Sequence, residues 1–323
     1  VAFANGIMHI IIEEGLQDLD FINSRTEGYE ELKEIVKDYT PERVAEICNI
    51  DPDDLRKAAI MYAKADKAPI MYCLGVTEHS TGTEGVMSMS NMAMLVGKLG
   101  REGCGVNPIR GQNNVQGACD MGAMPTDFPG YQKVDNPEVL AKFENAWGIK
   151  LNPKPGIKAT EVFPAAIKGD IKGLYIFGED PVVTVADTNH IIKALESLDF
   201  LVMNELFMTE TAQYADVILP GVSYAEKEGT FSNTERRVQR VRKAVELEGE
   251  MRLDTDIFID LLNRMGYPQP HLTSAEIMDE VASLTPSFAG ISHKRLDEVG
   301  SLQWPCPSKE HPGTPILHVG KFA

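Results

Sequence analysis

The sequence predicts an α/β fold, with parallel sheets and flanking helices arranged in two lobes. Three observations carry that expectation. Short apolar runs end at Gly, Pro or an acidic residue, helical patterns follow them in turn, and 323 residues exceed what one hydrophobic core usually organises. Short apolar runs of this kind read as buried parallel strands, and their alternation with helices implies right-handed crossovers within a sheet. A composition of 43% hydrophobic and 24% charged residues is that of a globular protein, and no apolar run approaches the roughly 20 residues that span a bilayer. The formal net charge of -17 excludes general binding to nucleic acid, which depends on clustered Lys and Arg.

The chain opens with Val1 to Glu14, a helical pattern with Ile7, Ile10, Ile11 and Ile12 on its apolar side and His9 at the boundary. It carries no initiator Met and no signal-peptide pattern, so an internal fragment is expected, with its native N-terminus and any targeting signal upstream. Tyr29 to Tyr39 and Pro41 to Cys48 follow as helices, the second opened by Thr40 as N-cap and Pro41 at the first helical position. Asp51 starts another, running to about Ala65, with acids where the helix dipole favours them. Ala68 to Leu74 is a buried strand that breaks at Gly75, and helical spacing resumes from Met87 to Leu99. The five cysteines (Cys48, Cys73, Cys104, Cys119, Cys306) form no Cys-x-x-Cys pair, which fits buried free thiols in a reducing, cytoplasmic compartment better than a metal cluster or a disulfide framework.

From Asn107 to Met121 almost no residue can fill a core, so neither buried strand nor helix is expected there. Arg110 is followed by the amides Gln112, Asn113, Asn114 and Gln116 and by Gly111 and Gly117, which crowds donors and acceptors onto a flexible backbone. Such a stretch suits a polar, heteroatom-rich ligand. Between Pro125 and Phe163 the reading is a long connection with one helix near Pro137 to Trp147. Strands are then expected at Gly173 to Phe177, Phe200 to Asn204 and Ala215 to Leu219, with a helix from about Thr188 to Ser197. Residues 229 to 239 read as a polar loop, Asp254 caps a helix to Met265, and Ser274 to Leu284 forms a further helix. The implied domains are 1 to 112, 113 to 225 and 226 to 323.

Ligands of open α/β sheets bind at the carboxyl ends of the strands. Gly75 to His79 and Gly178 to Asp180 both stand at such ends. A carboxylate there can accept from the ring N–H and the amino group of guanine, which points to Asp180. Neither Gly-x-Gly-x-x-Gly nor Gly-x4-Gly-Lys-Ser/Thr occurs, which disfavours a standard NAD domain or P-loop.

The string Asn-Pro-Ile-Arg-Gly-Gln-Asn-Asn-Val-Gln-Gly-Ala-Cys-Asp-Met-Gly, ending at Gly122, resembles the signature of the catalytic subunit of molybdenum- or tungsten-dependent formate dehydrogenases, within the molybdopterin oxidoreductase superfamily. Further matches in chain order are Ser24 to Tyr29, Gly178 to Pro181, Phe207 to Thr211, Glu228 to Gln239 and Arg264 to Pro268. The resemblance implies Rossmann-like parallel sheets in part of that fold, and oxidation of formate to carbon dioxide, or its reverse. It implies a metal centre held by two molybdopterin guanine dinucleotides, with a [4Fe-4S] cluster and a metal-ligating Cys or selenocysteine upstream. No metal ligand is assigned within this chain. An electron-transfer subunit or acceptor protein is the expected partner, with no nucleic acid and no membrane span.

The same resemblance implies Arg110 and Gln112 as catalytic residues, Arg110 holding the formate carboxylate. It implies Gly75, Glu78, His79, Gly111, Gly178, Glu179, Asp180, Thr184, Asn204, Glu205, Thr209, Gly221, Asn233, Arg236 and Asp256 as cofactor contacts. Where the family often has Gln, this chain has Glu78, which when ionised accepts and cannot donate. The alternatives are a non-catalytic electron-transfer scaffold of the same fold, a nitrate reductase-like oxotransferase, and an unrelated nucleotide-binding module.

Overall fold

The computed structural model describes residues 1 to 321, and the chain forms two compact units. The first comprises residues 1 to 113 with the tail from Thr314, the second residues 114 to 313. Of the segments expected at 113 to 225 and 226 to 323, residues 114 to 313 lie in the second unit, and Asn113 and the tail from Thr314 lie in the first.

In the first unit, helices α1 (Ala2–Glu13), α2 (Leu19–Arg25), α3 (Tyr29–Val36), α4 (Pro41–Cys48) and α5 (Pro52–Lys64) enclose a core that includes Ile7, Met8, Ile10, Ile11, Val44 and Leu55. Burying each such side chain contributes about 1.5 to 3 kcal/mol. The helix starts follow their capping residues: Thr40 Oγ1 accepts from Arg43 N, and Asp51 Oδ1 accepts from Asp53 N and Asp54 N. Lys98, only 2% exposed, donates from Nζ to the carbonyls of Ala63 (3.1 Å) and Ala65 (2.7 Å), satisfying oxygens that the end of α5 leaves open. Burial lowers its pKa.

Strand β1 (Pro69–Tyr72) pairs in parallel with β2 (Gly105–Pro108), Tyr72 opposite Pro108. Between them come the short helix α6 (Leu74–Thr77) and α7 (Gly82–Leu95). Two expectations change here. Part of the open segment after Gly75 is helical, and the helix expected at Met87 begins at Gly82. The reason is close packing: a Cβ at Gly82 would stand 2.0 Å from the Thr77 carbonyl oxygen, so glycine seats α7 on α6 without leaving an apolar signature. The helix stops at Leu95, before Gly97 takes φ +61.

In the second unit α8 (Val115–Asp120) is followed by the short pair β3 (Asp127–Phe128) and β4 (Gln132–Lys133), then α9 (Pro137–Trp147) and α10 (Ala159–Lys168). Strand β5 (Gly173–Phe177), helices α11 (Pro181–Thr184) and α12 (Thr188–Glu196), and strands β6 (Phe200–Glu205) and β7 (Val217–Pro220) complete a parallel sheet of order β5-β6-β7. Its core is Ile176, Val182, Ile191, Leu195, Leu201, Met203 and Ala212. A 3-10 turn, Thr211–Tyr214, lies between β6 and β7.

The segment read as a polar loop is instead an antiparallel hairpin of β8 (Gly229–Ser232) and β9 (Arg237–Val241). After α13 (Asp254–Arg264), α14 (Ser274–Leu284) and α15 (His293–Val299), strand β10 (Ser301–Gln303) adds to β9. Val238, Phe288, Ile291, Leu296, Leu302 and Cys306 are buried together against this sheet.

Nor is Asn107 to Met121 free of regular structure. Asn107 and Pro108 end β2, and α8 buries Gln116, Gly117 and Asp120. Polar residues fill that space because they satisfy one another. Asp120, fully buried, accepts from Gln116 Nε2 (2.7 Å), the Tyr131 hydroxyl (2.8 Å) and Trp304 Nε1 (2.7 Å).

Candidate active and cofactor site

Register alone brings two of the expected segments side by side. Because Tyr72 lies opposite Pro108 and Ile109 N donates to the Tyr72 carbonyl (2.7 Å), Gly75 to His79 and Arg110 to Gln112 leave the same carboxyl edge of the β1-β2 sheet. Gly75, Glu78, His79, Arg110, Gly111 and Gln112 are all exposed there. His79 Nε2 lies 3.0 Å from the Gly75 carbonyl, which folds its ring back over the α6 turn. A guanidinium, a primary amide, an imidazole and a carboxylate therefore share one sheet edge, a set suited to a small anion and a polar cofactor.

The second unit repeats the arrangement on the β5-β6-β7 sheet. Gly178 N donates to Asn204 O, and Gly221 N to Glu205 O, both at 3.0 Å, so the three strand ends are tied in sequence. Asn204 is buried, accepts from the Tyr175 hydroxyl (3.3 Å) and donates to the Leu219 carbonyl (3.2 Å). Thr184 donates to Glu179 Oε1 (2.5 Å) and to the Asp180 carbonyl (3.1 Å), closing the turn after β5. Gly178, Glu179, Asp180, Thr184, Asn204, Glu205 and Gly221 thus gather at one edge.

Asp180 is held differently from a carboxylate presenting two oxygens outward. Its Oδ1 accepts from both the backbone N–H (3.0 Å) and the hydroxyl (2.5 Å) of Thr211. Thr209, two residues earlier, has a buried hydroxyl with no hydrogen-bond partner among the described residues.

Sequence reasoning missed Asp254 and Lys227. Asp254 is buried, pairs through Oδ2 with Lys227 Nζ, and sets Oδ1 against Gly221, where a Cβ would stand 3.0 Å away. Two residues on a helix differ by roughly 200° around its axis, so Asp256 faces elsewhere and meets His271 Nδ1 at 3.1 Å. The signal that separates them is helical phase against Gly221, which needs the tertiary structure. Asn233 and Arg236 form the turn of the β8-β9 hairpin. Asn233 Oδ1 accepts from Glu235 N and Arg237 N, while Arg236, at φ +63, donates to the Trp304 carbonyl and lies 5.6 Å from that ring's centroid. Burial lowers the Arg236 pKa, opposed by Asp120 and Glu235.

With this geometry in place, comparison is decisive about family. The molybdopterin oxidoreductase profile matches residues 1 to 264. The chain belongs to the molybdopterin oxidoreductase family. It is 52% identical over 321 residues to the alpha subunit of "F420-dependent formate dehydrogenase 2" of Methanococcus maripaludis, covering 98% of this chain and 47% of that one. To formate dehydrogenase H of Escherichia coli it is 44% identical over 325 residues, covering 100% of this chain and 46% of that one. The chain therefore spans about half the length of these relatives. Acetylene hydratase from Pelobacter acetylenicus shares the fold, with a TM-score of 0.72 at 22% identity, over 98% of this chain and 46% of that one.

Membership in the molybdopterin oxidoreductase family implies a molybdopterin cofactor, and the β5-β6-β7 edge fits a polar group of that kind. The buried Thr209 hydroxyl lacks a hydrogen-bond partner among the described residues, and the missing Cβ of Gly221 lets Asn204 Nδ2 and Asp254 Oδ1 stand 2.7 Å and 3.0 Å from where it would lie, so polar groups converge on this strand end. Gly221→Ala, which forces Asn204 to shift, is expected to cut pterin content of the native protein about tenfold, as measured by pterin fluorescence after acid denaturation, with circular dichroism reporting the fold. Wild-type pterin content in that variant would place the cofactor away from this edge.

Proposed function

We propose that this chain is the central part of a catalytic subunit that oxidises formate to carbon dioxide, or runs the reverse. The reaction breaks the C–H bond of formate and releases carbon dioxide, one proton and two electrons. The observation that carries this reading is Arg110 at the carboxyl edge of the β1-β2 sheet, beside the Gly75 to His79 segment. Formate offers a carboxylate and one C–H, and a planar, permanently charged guanidinium matches the carboxylate in a bidentate pair. Gln112 and His79 supply secondary polar contacts.

A molybdenum or tungsten centre with two pterin guanine dinucleotides supplies the two-electron redox chemistry. Gly75, Glu78 and Gly111 are assigned to one part of it. Gly178, Glu179, Asp180, Thr184, Asn204, Glu205, Thr209 and Gly221 are assigned to a guanine dinucleotide, with Asp254 joining them by its position. Asn233 and Arg236 complete the proposed contacts, and Asp254 takes the place expected for Asp256, which is turned to His271. A [4Fe-4S] cluster and the metal's protein ligand are assigned to the length of the relatives that this chain does not span, and an electron-transfer subunit or acceptor protein receives the electrons.

The test is metal analysis, pterin content and dye reduction on the native protein purified without oxygen. Molybdenum or tungsten with formate-dependent reduction of the dye is expected. Pterin and metal with nitrate turnover in place of formate would make it an oxotransferase, and absence of both would make it a non-catalytic scaffold.

A further inference from the structure

We propose that Thr211 is the positioning residue that aims Asp180, fixing its Oδ1 inward so that Oδ2 alone is offered to a guanine base. This rests on the reading of the β5-β6-β7 edge as a guanine-nucleotide site. Thr211 is fully buried at the start of the 3-10 turn between β6 and β7, and it reaches Asp180 from 31 residues along the chain. Its hydroxyl and its backbone N–H both donate to Oδ1, and the same hydroxyl accepts from Val182 N (3.1 Å). An oxygen that already accepts two hydrogen bonds has both lone pairs engaged. Oδ2 accepts from no donor among the described residues.

The arrangement has a consequence for substitution. In Asp180→Asn the carbonyl oxygen must take the place of Oδ1, because two donors converge there, and the amide NH2 is driven into the outward position. A donor then faces the donors of the base. Rotating the amide would relieve that clash only by turning the NH2 onto the Thr211 N–H and hydroxyl. Thr211 therefore determines how harmful Asp180→Asn is. Removing the hydroxyl with Thr211→Val leaves the backbone N–H as the one donor facing the amide and so lowers the cost of rotating it, whereas Thr211→Ser keeps both donors.

The test is a double-mutant cycle on GMP binding by the native protein freed of cofactor, measured by titration calorimetry with AMP as the control base. Asp180→Asn is expected to weaken GMP about tenfold in the wild-type and Thr211→Ser backgrounds, and at least threefold less than that in Thr211→Val. AMP affinity should not respond. An equal loss in all backgrounds overturns the positioning role while leaving the guanine reading of Asp180 intact. No effect of Asp180→Asn on GMP, or no preference of the wild type for GMP over AMP, overturns the reading of the edge, and the inference falls with it. Thr211→Ala, which shortens the side chain without adding a methyl, runs the same cycle should Thr211→Val not fold.

Discussion

Arg110→Ala in the native protein should lower kcat/KM for formate by about two to three orders of magnitude, with metal and pterin content unchanged. The lost interaction is a charge-assisted, two-pronged bond to the only anionic group of the substrate, and such bonds are roughly twice as strong as neutral ones. Arg110→Lys keeps the charge and loses the planar fork, so KM should rise and kcat fall by a smaller factor. Gln112→Ala, at the same exposed edge, should cost about tenfold. Steady-state kinetics over formate concentration, together with pterin and metal assays, separate these outcomes. Near-normal formate oxidation by Arg110→Ala would make Arg110 a structural or cofactor-phosphate residue.

Asp120→Ala should destabilise the protein by about 3 kcal/mol, because three donors, from buried Gln116 and from the less buried Tyr131 and Trp304, lose their acceptor together, and each unsatisfied buried group costs roughly 1 to 3 kcal/mol before any relaxation. Trp304→Phe removes one of those donors, so Asp120→Ala should cost less in that background. Burial raises the Asp120 pKa, with the bonds from Gln116, Tyr131 and Trp304 pulling the other way. An acid whose pKa is higher folded than unfolded holds its proton more firmly in the folded state. Its contribution is complete below the unfolded value of about 3.9 and is lost as pH rises through the higher folded value. The stability gap between wild type and Asp120→Ala should therefore narrow from acid toward neutral pH, as read by denaturant titrations at a series of pH values. A gap that widens with pH would show the ionised form to be the favoured one.

Much of the architecture is local, and local structure is what a sequence displays. Thr40-Pro41 and Asp51-Pro52 announce α4 and α5 because a cap oxygen and a fixed φ act within one turn. Gly173 to Phe177 reads as a strand because its apolar run is bounded by breakers, and β5 has those same limits. The resemblance centred on Arg110 pointed to the family that the comparison with known proteins then showed. Gly82 and Gly85 carry no apolar periodicity, so the start of α7 was hidden until its packing on α6 could be seen.

What only the tertiary structure decided is which polar groups meet across long separations. Asp120 and Trp304 are 184 residues apart, Asp180 and Thr211 are 31, and Lys227 and Asp254 are 27. A run of polar residues reads as solvated because each alone would lose more by desolvation than it gains, and that balance reverses when burial supplies the complementary partner. The same reason separates Asp254 from Asp256: composition makes them equivalent, and helical phase places one against Gly221 and the other against His271. Sequence determined the kind of fold and the chemistry available to it, and the pairing of distant side chains, set by burial, decided which of those groups stand open at the strand ends and which hold one another.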